Sequence, residues 1–148
     1  MQVPECSGSD YFSRYVTPDI IEKLSEDASS EVLATLALAL TEPHYEDILE
    51  KLSDSPNRAV QYALSLNPAT PDVALANIAS SKSLMVRVSV AKHPNVDSKT
   101  QEKLSQSMIH AIRMAVAANP VTTKYIRMAL CKDPAKDVAA MAQAMLDK

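Results

Sequence analysis

Imidazole and thiol groups are the first candidates for chemistry in this chain, and they are few. The 148 residues include three histidines and two cysteines: His44, His93, His110, Cys6 and Cys131. No two of them have a spacing typical of a metal site, and the cysteines form no CxxC motif. Cys131 lies in an apolar segment and is expected to be a small buried side chain, with a reactive thiol as the alternative. We therefore expect no catalytic residue, no metal and no cofactor, and we interpret the protein as a non-enzyme.

Glycine is too rare for several classes of site. Gly8 is the only glycine, whereas dinucleotide-binding loops, phosphate-binding P-loops and the GxSxG serine motif need two or more. Tight β-hairpins also depend on glycine, so a β-barrel or β-sandwich is not expected. Ala, Leu, Ser, Met and Lys are abundant, and most of them favour helices. The composition predicts an all-α fold.

The N-terminal residues and the hydropathy pattern bear on location. The first residues, MQVPECSGSDYFSRYV, show neither the basic start nor the apolar run of a secretory signal. No segment approaches 18 uninterrupted apolar residues. We expect a cytoplasmic protein with free thiols and no membrane partner.

Five prolines recur at a nearly constant spacing and reveal an internal repeat. They are separated by 25, 25, 26 and 26 residues, at Pro18, Pro43, Pro68, Pro94 and Pro120. Each is followed by a short apolar segment, and in most units by a second one, which predicts two short helices per unit. Helices of about ten residues are marginal alone and must stack on neighbours. We predict an N-terminal cap segment (1–16) and a single helical-repeat domain (17–148), with about five units of 25–26 residues starting near 17, 42, 67, 93 and 119.

Residues around the prolines predict where these helices begin and end. A Ser, Thr or Asp before a proline is a typical helix start, which occurs at Thr17-Pro18, Ser55-Pro56, Thr70-Pro71 and Asp133-Pro134. The residue before a proline is disfavoured in the helical region, so Asn67, His93 and Asn119 should each end a helix. Asparagine is also tolerated in the left-handed conformation common at helix C-termini, which we expect to be its use here.

Two stretches of the repeat resemble the variant leucine-rich repeat family. They read VRVSVAKHPNVDSKTQEKLSQS and NPATPDVALANIAS, and they are similar to the family pattern VRxxVAxNPxxPxxxLxxLAxD. The resemblance covers about residues 56–134 and is weak over the first fifty. It implies a right-handed α-solenoid in which α-helices alternate with shorter helices. Some members carry an N-terminal iron–sulfur cluster, for which this chain lacks the cysteines; HEAT- or armadillo-like helix pairs, with units of about 40 residues, are the neighbouring alternative.

Basic side chains are concentrated in the C-terminal part of the chain. Residues 1–66 carry a net charge of −8 and residues 67–148 a net charge of +5. Counting back seven residues from a repeat proline places Arg87 and Arg113 at equivalent positions, where they should stack. These arginines either fix packing by pairing with a neighbouring acid or form a basic stripe that binds an anionic partner. The candidate stripe comprises Arg87, Lys92, Arg113, Lys124 and Arg127.

Aromatic and methionine side chains suggest further surfaces. Tyr11, Phe12 and Tyr15 precede the first unit and form either a packing cap or an exposed partner-binding patch. The methionines are expected mostly to fill the core, although the last two leave an apolar end that invites self-association. These methionines are Met108, Met114, Met128, Met141 and Met145.

Three functions are compatible with this sequence. The first is a non-enzymatic scaffold that binds a protein partner on its curved helical-repeat surface. The second is a nucleic-acid-binding module that uses the basic stripe together with Lys82. The pI of about 5.6 and the single aromatic residue of the basic half favour it less. The third is head-to-tail self-assembly of the acidic end on the basic end.

Overall fold

The computed structural model describes residues 17–148, and helices are the only regular secondary structure in this range. A 3₁₀ turn spans Pro43–Tyr45. The α-helices are α1 Pro18–Ser25, α2 Ser30–Ala39, α3 Glu46–Ser53, α4 Arg58–Leu66, α5 Asp72–Ile78, α6 Leu84–Lys92, α7 Ser98–Ser105, α8 His110–Ala118, α9 Lys124–Leu130 and α10 Lys136–Leu146. The prediction of an all-α fold is confirmed for this range. The cap segment 1–16, with Tyr11, Phe12 and Tyr15, lies outside the described residues.

Contacts between the helices define two rows. In the even row, α2, α4, α6 and α8 each pack on the next even-numbered helix, and the row ends at α10. In the odd row, α3 contacts both α1 and α5, and α7 contacts α9. Consecutive helices also contact each other, so the two rows are joined along their length. Each helix is thus held mainly by neighbours one or two positions away in the chain.

The core of the even row follows the 26-residue period of the sequence. Val60, Val86, Ile112 and Val138 are fully buried, one on each of α4, α6, α8 and α10. One turn later, a second fully buried column contains Leu64, Val90, Val116 and Ala142. Residues four apart lie on the same helix face, so each of these helices packs two apolar side chains into the core between the rows. Burying a Val or Ile side chain stabilises a fold by about 1.5–3 kcal/mol, which stabilises helices this short.

Helix starts agree with the sequence prediction at one joint and differ at three. Thr17 precedes Pro18 at the start of α1 as expected. However, α4 begins at Arg58, because Asn57 is its N-cap and accepts a hydrogen bond from the Ala59 N–H. Similarly, α5 begins at Asp72 and α10 at Lys136. The side chains of Thr70 and Asp133 form other hydrogen bonds, and the helices start after them.

Helix ends agree with the prediction, although the expected backbone conformation is wrong. Asn67, His93 and Asn119 are the C-caps of α4, α6 and α8. Their φ angles are −76°, −69° and −70°, in the extended region. No residue of the described range has a positive φ. The following proline explains the extended conformation, and the side chains explain why Asn and His occupy these positions.

None of the helices between residues 17 and 148 has the length and apolar character needed to cross a bilayer.

Candidate functional site

The residues before the prolines connect consecutive helices of the even row; we call Asn67, His93 and Asn119 the link series. The buried amide of Asn67 donates to the carbonyl oxygens of Ala37 and Leu40 at the end of α2, the latter at 2.8 Å. The Asn119 amide donates to the carbonyls of Ala91 at 2.8 Å and His93 at 3.1 Å. Carbonyls at a helix C-terminus lack partners within the helix, so each link satisfies groups that would otherwise be buried and unpaired.

His93 fills the same place with an imidazole, and its surroundings fix the tautomer. The Asn95 N–H donates to Nδ1 at 3.1 Å, so Nδ1 is the acceptor. Nε2 therefore carries the proton and donates to the Asn67 carbonyl at 2.9 Å. Burial lowers the pKa of His93 below its ordinary value of 6.5, and the hydrogen bond to Asn67 opposes that shift. The ring is thus a neutral structural link and is not available to a metal or a substrate.

A second series of side chains precedes the even-row helices, and we call it the turn series. In each member, a side-chain oxygen accepts the N–H of the residue two positions later, which is the N-cap of the helix. The nitrogen–oxygen distances are 2.7 Å at Asp27, 3.3 Å at Ser55, 3.1 Å at Ser81, 3.2 Å at Ser107 and 2.9 Å at Asp133. Ser and Asp are interchangeable in this local role because both supply an acceptor oxygen.

Six residues after each of three turn-series members is a long polar side chain; we call Gln61, Arg87 and Arg113 the bridge position. Gln61 donates to the Ser55 carbonyl at 3.0 Å and accepts from the Ser81 hydroxyl at 2.6 Å. It therefore joins the turn before its own helix to the turn before the next even-row helix.

Arg113 makes the equivalent connections with charged groups. Its Nη1 donates to the Ser107 carbonyl at 2.9 Å, and its Nε and Nη2 donate to the Asp133 carboxylate at 2.7 and 3.1 Å. The two side chains are 14% and 4% exposed. Hydrogen bonding to Asp133 raises the pKa of Arg113, and the same bond holds the pKa of Asp133 below its ordinary value. This pairing with a neighbouring acid is the first of the two roles that the sequence allowed for Arg113.

Arg87 occupies the bridge position between these two and has no carboxylate partner. The turn-series residue 20 positions after it is Ser107, whereas Asp133 stands 20 positions after Arg113. Arg87 is half-buried, and its Nε is enclosed without a hydrogen-bond partner. The ion pairs found in residues 17–148 do not involve it. Its charge is therefore not compensated by a carboxylate in the described part of the chain.

The remaining candidates from the sequence are dispersed. Arg127 Nη2 donates to the carbonyls of Asn119 at 2.9 Å and Pro120 at 2.8 Å, so it satisfies a helix end. Lys92 and Lys124 are exposed on α6 and α9. The structure thus brings Arg87 and Arg113 to one register position on contacting helices, and it uses Arg127 elsewhere.

Cys6 lies outside the described residues, and within residues 17–148 the histidines and Cys131 do not assemble into a reactive site. His110 Nε2 lies 2.8 Å from an Asp137 carboxylate oxygen at the surface, and the hydrogen bond from His110 lowers the pKa of Asp137. Cys131 is half-buried, with its thiol 3.6 Å from the Gln143 side-chain oxygen. No group of three metal-ligating side chains occurs in the described range.

A groove of the described region lies between the turn before α8 and helix α9, and we call it the C-terminal groove. It has a volume of about 580 Å³. Met108 is 98% exposed beside it, and Tyr125 is 73% exposed. Its apolar lining is Met108, Tyr125, Ile126, Ala129, Leu130 and Pro134; its polar lining includes Glu102, Arg113, Lys132 and Asp133.

The prediction that the methionines mostly fill the core is wrong. Met108, Met128 and Met141 are exposed, and Met114 and Met145 are half-buried. Val, Ile, Leu and Ala occupy the fully buried columns instead. For Met108, the neighbouring Ser107 was a usable signal, because a residue beside a turn-forming serine has no helix face on which to be buried.

Comparisons with known proteins add nothing to the description of this site. The sequence matches no protein-family model, and neither the curated proteins nor the solved structures gave a match.

Proposed function

We propose that this chain is a non-enzymatic scaffold, an α-solenoid of about five two-helix repeats, which binds a protein partner on its curved surface. The repeat is supported by the 26-residue spacing of the buried columns and of the link series. It is also supported by the packing of each even-row helix on the next. Stacked units of this kind present extended surfaces suited to binding other chains.

The C-terminal groove is the observation that carries the proposed function. Exposed Met and Tyr side chains are enriched at the centres of protein interfaces, where they supply contact area, and Tyr also offers a hydrogen bond. Here Met108 and Tyr125 flank an apolar floor formed by α9 residues such as Ala129. Glu102 and Lys132 place both signs of charge in the lining, which suits a polar interface rim. The occupant we propose is a partner segment with apolar side chains.

Nucleic acid is the less favoured occupant. Arg113 and Arg127 donate to groups within the chain. The groove contains Glu102 and Asp133 as well as Lys132. A phosphate backbone would meet both signs of charge there, whereas nucleic-acid surfaces are dominated by Lys and Arg.

A capture experiment with matched variants tests this proposal. The full chain is immobilised and exposed to native lysate with and without nuclease, alongside Met108→Ser/Tyr125→Ser and Met128→Ser. Met128 is 54% exposed on the same helix as Tyr125 but does not line the groove. We expect the wild type to capture a protein after nuclease treatment. The amount captured should fall at least about tenfold with the double variant and stay the same with Met128→Ser. Circular dichroism checks that both variants remain helical.

Two results would contradict the scaffold. Loss of all captured protein on nuclease treatment would favour the nucleic-acid reading. Equal capture by the wild type and both variants would show that the groove is not the binding surface.

A further inference from the structure

We propose that Arg87 is a receptor for a carboxylate, supplied by an Asp or Glu side chain of the protein partner. The source of the carboxylate rests on the proposed function, whereas the site itself rests on the register of the bridge position. The partner segment would then present an acidic residue close to the apolar residues that enter the C-terminal groove.

The chain itself shows which group the bridge position binds. With Gln61, the residue 20 positions later is Ser81, and a neutral amide meets a neutral hydroxyl. With Arg113, that residue is Asp133, and a guanidinium meets a carboxylate. Arg87 is the mixed case, because its guanidinium is followed 20 positions later by Ser107. The half-buried guanidinium of Arg87 has no carboxylate partner, so it favours binding of a carboxylate in the way that Arg113 binds Asp133.

The same register places Arg87 between two openings of the surface. A cleft of about 450 Å³ is lined by Pro56, Gln61, Asn77 and Ser81. The C-terminal groove is lined by the residues 52 positions later: Met108, Arg113, Ala129 and Asp133. One repeat between them, the equivalent positions are Lys82, Arg87, Lys103 and Ser107. The serine at this position supplies no carboxylate to Arg87, whereas Asp133 supplies one to Arg113.

Charge around this position favours an anion. Two of the positions in the same register as Arg87, Lys82 and Lys103, are lysines, and both are exposed. Lys103 reaches across the joint between α5 and α7 to the Ser80 hydroxyl at 2.6 Å, and neither lysine forms an ion pair in the described range. This register therefore carries three cationic side chains, Lys82, Arg87 and Lys103, against one acidic neighbour, Glu102, which favours an anionic side chain.

Continuity with the C-terminal groove identifies the source of the carboxylate. Ser107 and Met108 are consecutive, and both line that groove, while Ser107 is also the register partner of Arg87. A segment seated against Met108 would therefore lie next to the Arg87 position. We place its carboxylate at the Nη end of the guanidinium, because Nε is enclosed. The planar fork of arginine matches a carboxylate in two parallel hydrogen bonds.

The first test measures the site without any partner. Acetate is titrated into the ¹⁵N-labelled full chain at constant ionic strength, with chloride as the replaced ion, and the arginine Nε–H resonances are followed. Arg87→Gln assigns the Arg87 signal; this variant reproduces the Gln61–Ser81 pairing and should fold. We expect the Arg87 signal to move and saturate at an acetate concentration on the order of 10 mM, while the exposed Arg58 stays unchanged.

Ser107→Asp is the decisive variant. Asp occupies the turn series at positions 27 and 133, so its carboxylate can also accept the Ile109 N–H and preserve the turn. We expect it to raise the melting temperature and to abolish the acetate response of Arg87, because the internal carboxylate fills the site. The proposed carboxylate site is wrong if the Arg87 resonance of the wild type does not move when acetate is added. It is also wrong if the Arg87 resonance of Ser107→Asp still moves.

The second test asks whether the partner supplies the carboxylate. Capture of the protein identified with the wild-type chain is repeated with Ser107→Asp, and with Lys23→Gln on the exposed surface of α1 as the control. We expect at least about a tenfold loss with Ser107→Asp and none with the control. Full capture by Ser107→Asp alongside a clear acetate response would overturn the assignment to the partner. The acetate titration is independent of the groove variants, so failure of the scaffold proposal and failure of the Arg87 site are distinguished.

Discussion

At the scale of single residues, the side chains before Pro68, Pro94 and Pro120 hydrogen-bond to backbone carbonyls at the end of the preceding even-row helix. The proline forces its predecessor out of the helix, so the last carbonyls of each even-row helix have no partner in that helix. Asn67, His93 and Asn119 each donate to such carbonyls in the preceding unit. An amide or an imidazole suffices, because each offers a donor for the carbonyl and an acceptor for the N–H two residues later.

The exchange of His93 for asparagine tests this account through pH. Because the pKa of His93 is lowered by folding, its contribution to stability is complete above about pH 6.5 and falls as the pH decreases below 6.5, where the unfolded chain takes up the proton first. His93→Asn should have a similar stability at pH 7.5, within about 1 kcal/mol. It should lose less stability between pH 7.5 and 5.5.

Urea denaturation at both pH values, followed by circular dichroism, makes the measurement. His44→Asn at an exposed position is the control and should keep the wild-type pH dependence. If His93→Asn loses as much stability as the wild type over this range, another group is responsible for the dependence.

At the scale of helices, α7 is the polar exception in the core. Leu75 on α5 is fully buried, and the residue 26 positions later is Gln101 on α7, which is 1% exposed. Both polar atoms of Gln101 lack a hydrogen-bond partner among the described residues. The equivalent residue a further 26 positions later is Arg127, whose Nη2 donates to the carbonyl oxygens of Asn119 and Pro120. An enclosed, unpaired amide is a net cost to folding.

Replacing this amide should stabilise the protein. Gln101→Leu copies the residue of α5, removes the unpaired polar atoms and should raise the free energy of unfolding by about 1–3 kcal/mol. Gln106→Leu changes the same residue type at an exposed position and should alter stability by less than about 0.5 kcal/mol. Equilibrium denaturation of both variants gives the comparison. A destabilised Gln101→Leu would mean that the amide is satisfied in solution.

The sequence predicted the helix ends better than the helix starts, for a physical reason. A proline disfavours helix at its predecessor wherever it occurs, so Asn67 and Asn119 were recognisable as ends. The start of α10 was not recognisable, because Asp133 pairs with Arg113, 20 residues away in sequence. Periodicity likewise predicted two short apolar helices per unit but could not locate Met108 at the surface. The equivalence of Arg87 and Arg113 was recognisable from the sequence, whereas the enclosure of the Arg87 Nε needed the structure.

At the scale of the whole molecule, stability depends on coupling between neighbouring units. The buried core runs continuously from Ile21 on α1 to Ala142 on α10. Helices far apart in the chain do not share strong contacts, so each unit is stabilised through its neighbours. The link series joins these units through buried hydrogen bonds to backbone carbonyls. A link divides the helices into a shorter and a longer set. Weakening that link should therefore destabilise mainly the shorter set.

The last prediction concerns where the molecule opens when a link is removed. Asn67→Ala leaves the carbonyls of Ala37 and Leu40 without their donor at the junction of α2 and α4, at a cost of roughly 3 kcal/mol. Amide exchange measured by mass spectrometry should rise on the order of 100-fold in α1–α3 and little in α6–α9. Asn119→Ala is the mirror control, since it removes the link between α6 and α8 and should raise exchange in α9 and α10 while α1–α3 stay protected. A uniform rise along the chain in both variants would mean that the molecule opens as one indivisible unit, and that the links do not define separable repeats.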